Sequence, residues 1–161
     1  MKSANKQESR TLLRVTKYSF IVPLFFMLGI VGASELFPTL GITLNEKQYT
    51  LELADNQARK SQGLMFRRYL PENRGMLFVY DQPIDLKIWM KNTLIPLTVV
   101  WLDDNAVIID KKILFPCKST HCPVFGPEQK SRYALEFNAA EFPRFKIGQR
   151  LSAISEWHAN L

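Results

Sequence analysis

Between residues 42 and 54 the chain alternates apolar and polar side chains: Ile42 and Leu44, then Tyr49, Leu51 and Leu53 with Thr50 and Glu52 between them. A period of two buries one set of side chains and leaves the other facing outward, so two strands are predicted around the polar turn 45–48. Asp55 suits a helix N-cap, and residues 56–66 have helical composition, with Ala58, Leu64 and Met65 on the inner side. Gly63 marks a close approach or the helix end. Pro71-Glu72-Asn73-Arg74-Gly75 reads as a turn. From there the pattern is mostly strand. Residues 76–79 form a short apolar run, broken by Asp81-Gln82-Pro83, and Ile88-Trp89-Met90 is a second. Residues 97–102 (LTVVWL) are a third, rich in β-branched and aromatic side chains. A turn at 103–105 and a return over 107–109, extended by 113–115, predict a hairpin. Residues 116–127 read as a loop and 133–137 as a strand. Residues 138–145 have a helical look cut by Pro143, and 151–154 read as a last strand. Short, closely spaced strands with one or two short helices predict a mainly β single domain, an antiparallel β-sandwich or partly open barrel. The sequence holds no phosphate-binding loop and no dinucleotide fingerprint.

The first 33 residues do not fit that pattern. They carry Lys2, Lys6, Arg10, Arg14 and Lys17 against a single acid, Glu8, and residues 18–33 have no charge at all. Val31-Gly32-Ala33 supplies small residues at the end of the apolar run. A basic start, an apolar stretch and a small-residue exit read as a secretory signal peptide. An uncleaved membrane anchor is the alternative, but such a helix would reach about 24 Å against a hydrocarbon core of about 30 Å, which favours cleavage. Either way the rest of the chain is expected outside the cytoplasm: periplasmic, extracellular, or anchored and facing outward. Membrane contact is then expected only through the N-terminal segment. Residues 34–41 read as a linker and 42–157 as the folded domain, long enough for one core.

Charge changes the picture once the N-terminus is set apart. The whole chain has a net charge of +6, but residues 34–161 have 16 basic and 14 acidic side chains, hence 16 − 14 = +2. A domain so near neutral lacks the electrostatic footprint of a nucleic-acid binder, and no nucleic-acid partner is expected. Cys117 and Cys122 sit in one loop between Pro116 and Pro123. In an exported protein that spacing predicts a disulfide, worth about 2 kcal/mol or less for so small a loop. Zinc would need more ligands than His121 and His158 supply, and the redox spacing C-x-x-C is absent, so no metal and no cofactor are predicted.

Four phrases carry a family resemblance: Gly63-Leu64-Met65-Phe66-Arg67; Gly75 to Tyr80 (GMLFVY); Trp89-Met90-Lys91-Asn92-Thr93 followed by Ile95-Pro96-Leu97; and Tyr133-Ala134-Leu135-Glu136. Their order and spacing resemble the DUF192 (UPF0127) family of uncharacterised proteins, over about residues 48–155. The resemblance implies a compact, jelly-roll-like β domain and implies no reaction. Two positions depart from the family pattern. Thr98 stands where an aspartate is usual after Pro96-Leu97, which removes one carboxylate. Ala140 stands where a glycine is usual after Asn138-Ala139.

Within those phrases polar groups lie among bulky apolar ones. Each has a structural explanation. Arg67 and Glu136 could form a partly buried ion pair, Asn92 and Thr93 a turn, Lys91 a solvated side chain, and Trp89 core. The functional reading groups Arg67, Trp89, Lys91, Asn92, Thr93 and Glu136 as a ligand site. A strand running on would put Trp89, Lys91 and Thr93 on one face: an aromatic platform with fixed donors for a small polar ligand or envelope glycan. Arg67 would clamp an anionic group and Glu136 would orient a cation. The enzymatic alternative is a carboxylate-dependent hydrolase acting on envelope material, which requires Glu52 and Glu136 to face one cleft. The shortage of histidine argues against a nucleophilic triad, and the balance favours a binding module over an enzyme. A third reading is a structural or interaction protein presenting Trp89 and Trp101 to a partner.

Overall fold

The computed structural model describes residues 37–161. The signal or anchor read over 1–33, and the first three residues of the linker, lie outside the described residues. The fold is mainly β. The alternating segments pair as predicted: β1 (Thr39–Leu44) and β2 (Lys47–Ala54) are antiparallel around a turn whose Asn45 and Glu46 both have positive φ. β1 thus begins inside the stretch read as linker. The helix is shorter than its composition suggests. α1 (Gln57–Gln62) is capped by Asn56, whose side chain accepts the Arg59 N–H at 2.9 Å, not by Asp55, which instead pairs with the Arg59 guanidinium at 2.7 Å. It ends at Gly63, whose φ of 49° places it in the left-handed region that a side chain would resist.

β3 (Arg74–Ile84) runs straight through Asp81-Gln82-Pro83, with a register shift between Val79 and Ile84. The predicted break is therefore a bulge: the ladder gives way locally and the strand continues. β4 (Ile88–Trp89), β5 (Leu97–Leu102), β6 (Ile108–Leu114), β7 (Val124–Phe125) and β8 (Ser131–Asn138) follow. Residues Ala139–Arg144 form a 3-10 helix around Pro143. The final segment is α2 (Ser152–Ala159), not a strand. Leu151, Ile154 and Trp157 recur at a spacing of three and pack into one cluster, a helical period that outweighs the β-propensity of single residues.

Six strands make one sheet in the order β1-β2-β3-β8-β5-β6, and β4 pairs with β7 in a small second sheet. The large sheet is not closed into a barrel. All its pairs are antiparallel except β2–β3, which is parallel because the chain crosses over through α1 between them. Both faces of the sheet are apolar. On the first, Tyr49, Leu51, Leu77, Val100, Leu135 and Phe137 pack with Phe145, Leu151 and Ile154. On the second, Met76, Phe78, Val99, Trp101 and Ala134 pack with Leu64, Leu70, Leu86, Ile88 and Met90. The second face is thus covered by β4 and by the two connections that hold the family phrases. Gly75 is required by a close approach: a Cβ there would lie 2.6 Å from the Phe137 ring.

Candidate functional site

Strand alternation decides which polar groups are buried. Leu51 and Leu53 point into the first face, so Glu52 points to the second, and Leu135 and Phe137 turn Glu136 the same way. The register aligns Glu52, Met76, Glu136 and Val99 in one row across β2, β3, β8 and β5. The two carboxylates thus share a face, about 10 Å apart at the backbone with Met76 between them.

Arg67 reaches Glu52 from above the sheet. Its two terminal nitrogens donate to the two carboxylate oxygens at 2.5 and 2.6 Å, a bidentate pair that raises the guanidinium pKa further. The preceding residue, Phe66, takes a φ of 63° although its ring is exposed. A bulky side chain resists that conformation at a cost of about 1–2 kcal/mol, and strain of this kind concentrates at functional sites. It is held by a hydrogen bond from the Phe66 N–H to the Asn92 carbonyl at 2.8 Å, and Asn92 is itself left-handed at φ 58°. Two turns, one from each family phrase, are thereby locked together.

Glu136 is buried, and no described residue hydrogen-bonds its Oε2. Burial pushes its pKa up to about 8, against the opposing pull of the Arg67 charge. Its carboxyl is therefore mostly neutral at pH 7, able both to donate and to accept a hydrogen bond. It borders a cavity of about 40 Å³ lined also by Gly63, Leu64, Met65, Trp89 and Thr93. That volume admits a water or one polar group of a larger molecule. Tyr80, on the next strand, has its phenol pKa raised by burial first and by the Glu136 charge second.

The other expected ligand residues are placed as follows. The strand does not run on past Trp89, because the chain turns at left-handed Asn92. Trp89 is 45% exposed and Lys91 stacks its ammonium 5.2 Å from the indole centroid, but Thr93 is carried inward and buried. Lys91 and Asn92 are exposed and do not line the cavity, and Arg67 is engaged by Glu52. The fold therefore brings Trp89, Thr93 and Glu136 together and leaves Arg67, Lys91 and Asn92 around them. Trp101 is fully buried, so it presents nothing to a partner surface. Cys117 and Cys122 are joined in a disulfide. That loop abuts the site from behind: Cys117 bridges to Lys91, and its N–H meets the Met90 carbonyl at 3.3 Å. Among the described residues no three His, Cys, Asp or Glu cluster in a way that could hold a metal ion. His158 lies in α2, 2.8 Å from the Arg132 guanidinium, on the opposite face of the sheet.

Sequence reasoning missed Met65 and Gly63 as lining residues, although both lie in the first family phrase. It also missed a second polar cluster altogether. Lys47, Tyr49 and Arg144 converge on buried Glu141, whose carboxyl they hold below its ordinary pKa despite burial. Lys47 and Glu141 are 94 positions apart, and no local pattern announces such a contact.

Fold and site together define a class: a mainly β single domain with one protonatable carboxyl buried under a small cavity. The pattern of the DUF192 family, described as an uncharacterised ACR, matches residues 40–153. The chain belongs to that family. Two crystal structures are similar to it. One is of a "putative transcription regulator" from Sinorhizobium meliloti 1021, with 28% identity, coverage of 71% of this chain and 92% of that one, and a TM-score of 0.59. The other is of a protein of unknown function from Novosphingobium aromaticivorans DSM 12444, with 26% identity, coverage of 74% and 87%, and a TM-score of 0.57. No curated protein matches. Among the described residues no helix is long and apolar enough to cross a membrane.

Proposed function

We propose that the domain is a binding module for a small polar ligand, with an envelope glycan the best chemical fit. The observation that carries this reading is the convergence of three separate family phrases on one cavity: Gly63 to Met65, Trp89 with Thr93, and Glu136. The cavity is too small for a whole ligand, so it takes one hydroxyl group. Glu136, neutral at pH 7, donates to that hydroxyl or accepts from it, and the exposed face of Trp89 stacks on the sugar ring outside. Lys91 and Asn92 act beside the ligand, Lys91 by fixing the indole and Asn92 by locking the two turns. Arg67 holds Glu52 and moderates Glu136. Export fits this reading: the basic and apolar N-terminus favours it, and the disulfide is compatible with an oxidising compartment. A transcriptional role, taken from the label of the Sinorhizobium protein, finds no support in a domain near neutral charge.

The test is a titration with chitotriose, a neutral N-acetylated oligosaccharide, followed by tryptophan fluorescence. Trp89→Ala and Glu136→Ala, which removes both the donor and the acceptor, should each weaken binding about tenfold or more, a loss of about 1.4 kcal/mol. Equal affinity across wild type and both variants, or no saturable change in the wild type, would refute the reading. One observation favours a second reading, hydrolysis: Glu52 and Glu136 face the same side, and Glu136 has the raised pKa of a general acid. Against it, both Glu52 oxygens are occupied by Arg67. Release of shorter sugars in the same samples, lost in Glu136→Ala, would decide for hydrolysis.

A further inference from the structure

The sequence leaves three basic residues, Lys47, Arg68 and Arg144, unrelated to one another and to the cavity above Glu136. The fold brings them to one groove of about 610 Å³, between the start of β2, the segment preceding β3, and the 3-10 helix after β8. Its floor is built, not incidental. Glu141 is buried there, accepting from Lys47 Nζ at 2.6 Å and from the Tyr49 hydroxyl, with Arg144 Nε in an ion pair with it at 3.1 Å. One carboxylate is thus shared by two cations. Arg144 makes its closest approach to Glu141 through Nε, and its terminal nitrogens donate no hydrogen bond to a described residue. The wall is fixed as well: the Asn138 amide donates to the carbonyls of Leu70 and Pro71 at 2.7 and 3.2 Å, pinning the segment that carries Arg68 and Tyr69. Arg68 makes no hydrogen bond or ion pair with any described residue, and the Tyr69 ring is 72% exposed.

An exposed arginine is ordinarily just solvated. Here two guanidiniums whose terminal nitrogens donate to no described residue line one groove with Lys47, against two acids, Glu72 and a Glu141 already engaged by its neighbours, and beside an uncovered aromatic ring. We infer that this groove is a second binding site, distinct from the cavity at Glu136, for a small molecule bearing an oxyanion, either a carboxylate or a phosphate. Arg68 and Arg144 grip the oxyanion in the planar fork geometry that guanidinium offers, and Tyr69 packs on the adjoining ring or chain. Lys47 adds charge without geometric demand.

Inorganic phosphate and glucuronate are the two probes, glucose the neutral control, and amide chemical shifts of the folded domain the readout. At least one anion should bind saturably at millimolar concentration, shifting residues 68–72 and 138–144, with glucose silent. Saturation by phosphate alone, or by glucuronate alone, says which oxyanion the groove takes. Arg68 makes no hydrogen bond or ion pair with a described residue, so Arg68→Ala should melt like the parent and weaken binding about tenfold. Arg144→Ala should weaken it as much or more. Glu136→Gln should leave it unchanged, which separates this site from the proposed glycan site. Absence of saturable binding by both anions overturns the inference, as does binding that is indifferent to Arg68→Ala and Arg144→Ala or equally strong for glucose.

Discussion

At Glu136 a carboxyl group has been taken out of water with one oxygen left unpartnered, and pH is the variable that exposes the consequence. Its pKa rises from the ordinary 4.5 to about 8 in the folded state, chiefly through burial. The folded protein therefore holds a proton that the unfolded chain releases between those two values. Stability from this group is full below about pH 4.5 and declines as pH rises to about 8, by an amount on the order of a few kcal/mol. The Tm of the wild type should fall by roughly 10 °C between about pH 5 and about pH 8. Glu136→Gln, which cannot ionise, should lose this fall. A wild-type Tm that rises with pH would contradict the burial argument. The side chain's chemistry was readable as a candidate because Leu135 and Phe137 bracket a lone acid. Its neutrality was not, since that depends on what covers it.

The elements around Glu136 are short, and several are held by contacts outside regular ladders. β4 has two residues, the turn at Asn92 meets the turn at Phe66 through one hydrogen bond, and the disulfide loop leans on Lys91 and Met90. Reducing Cys117–Cys122 should therefore cost about 2 kcal/mol or less in global stability. Its local effect should be larger: amide exchange at residues 89–93 should quicken while α2, on the other face, keeps its protection. Unchanged exchange at 89–93 after reduction would show that the loop does not brace the site. At this scale the sequence was legible where the period was long enough to count, as in β1, β2, β5, β6 and β8. It misled where a local signal had a tertiary answer. Pro83 looked like a strand end and is accommodated at a bulge. Leu151 to Ile154 looked like a strand, yet Trp157 completes a helical stripe.

For the molecule as a whole, the decisive fact is that one sheet carries both apolar faces. Strands β3, β5 and β8 send alternate side chains into each cluster, so neither cluster can persist when the other is lost. Residues 37–161 should unfold in a single transition. Leu135→Ala, on the first face, and Met76→Ala, on the second, should each cost about 2–5 kcal/mol and lower the midpoint of that same transition in urea. Two separable transitions, one sensitive to each substitution, would mean that the faces fold independently. The same architecture separates function: the cavity at Glu136 opens on the second face, while the Glu141 cluster ties the start of β2 to the 3-10 helix.

The stretch with Trp89-Met90-Lys91-Asn92-Thr93 shows where the boundary lies. Composition and motif spacing were enough to establish a mainly β single domain, its family, the cysteine pair and the candidate side chains. Those are local properties, written in alternation, in turn residues and in phrases of a few positions. Which of the candidates meet was decided only in three dimensions. Alternation predicts a face only while the strand continues, and the left-handed turn at Asn92 ended it, turning Thr93 inward and leaving Lys91 outside. Glu52 and Glu136 came onto one row through strand register, and Lys47 and Glu141 met across most of the chain. Register and long-range pairing are set by the packing of the entire sheet, and no window of neighbouring residues contains them.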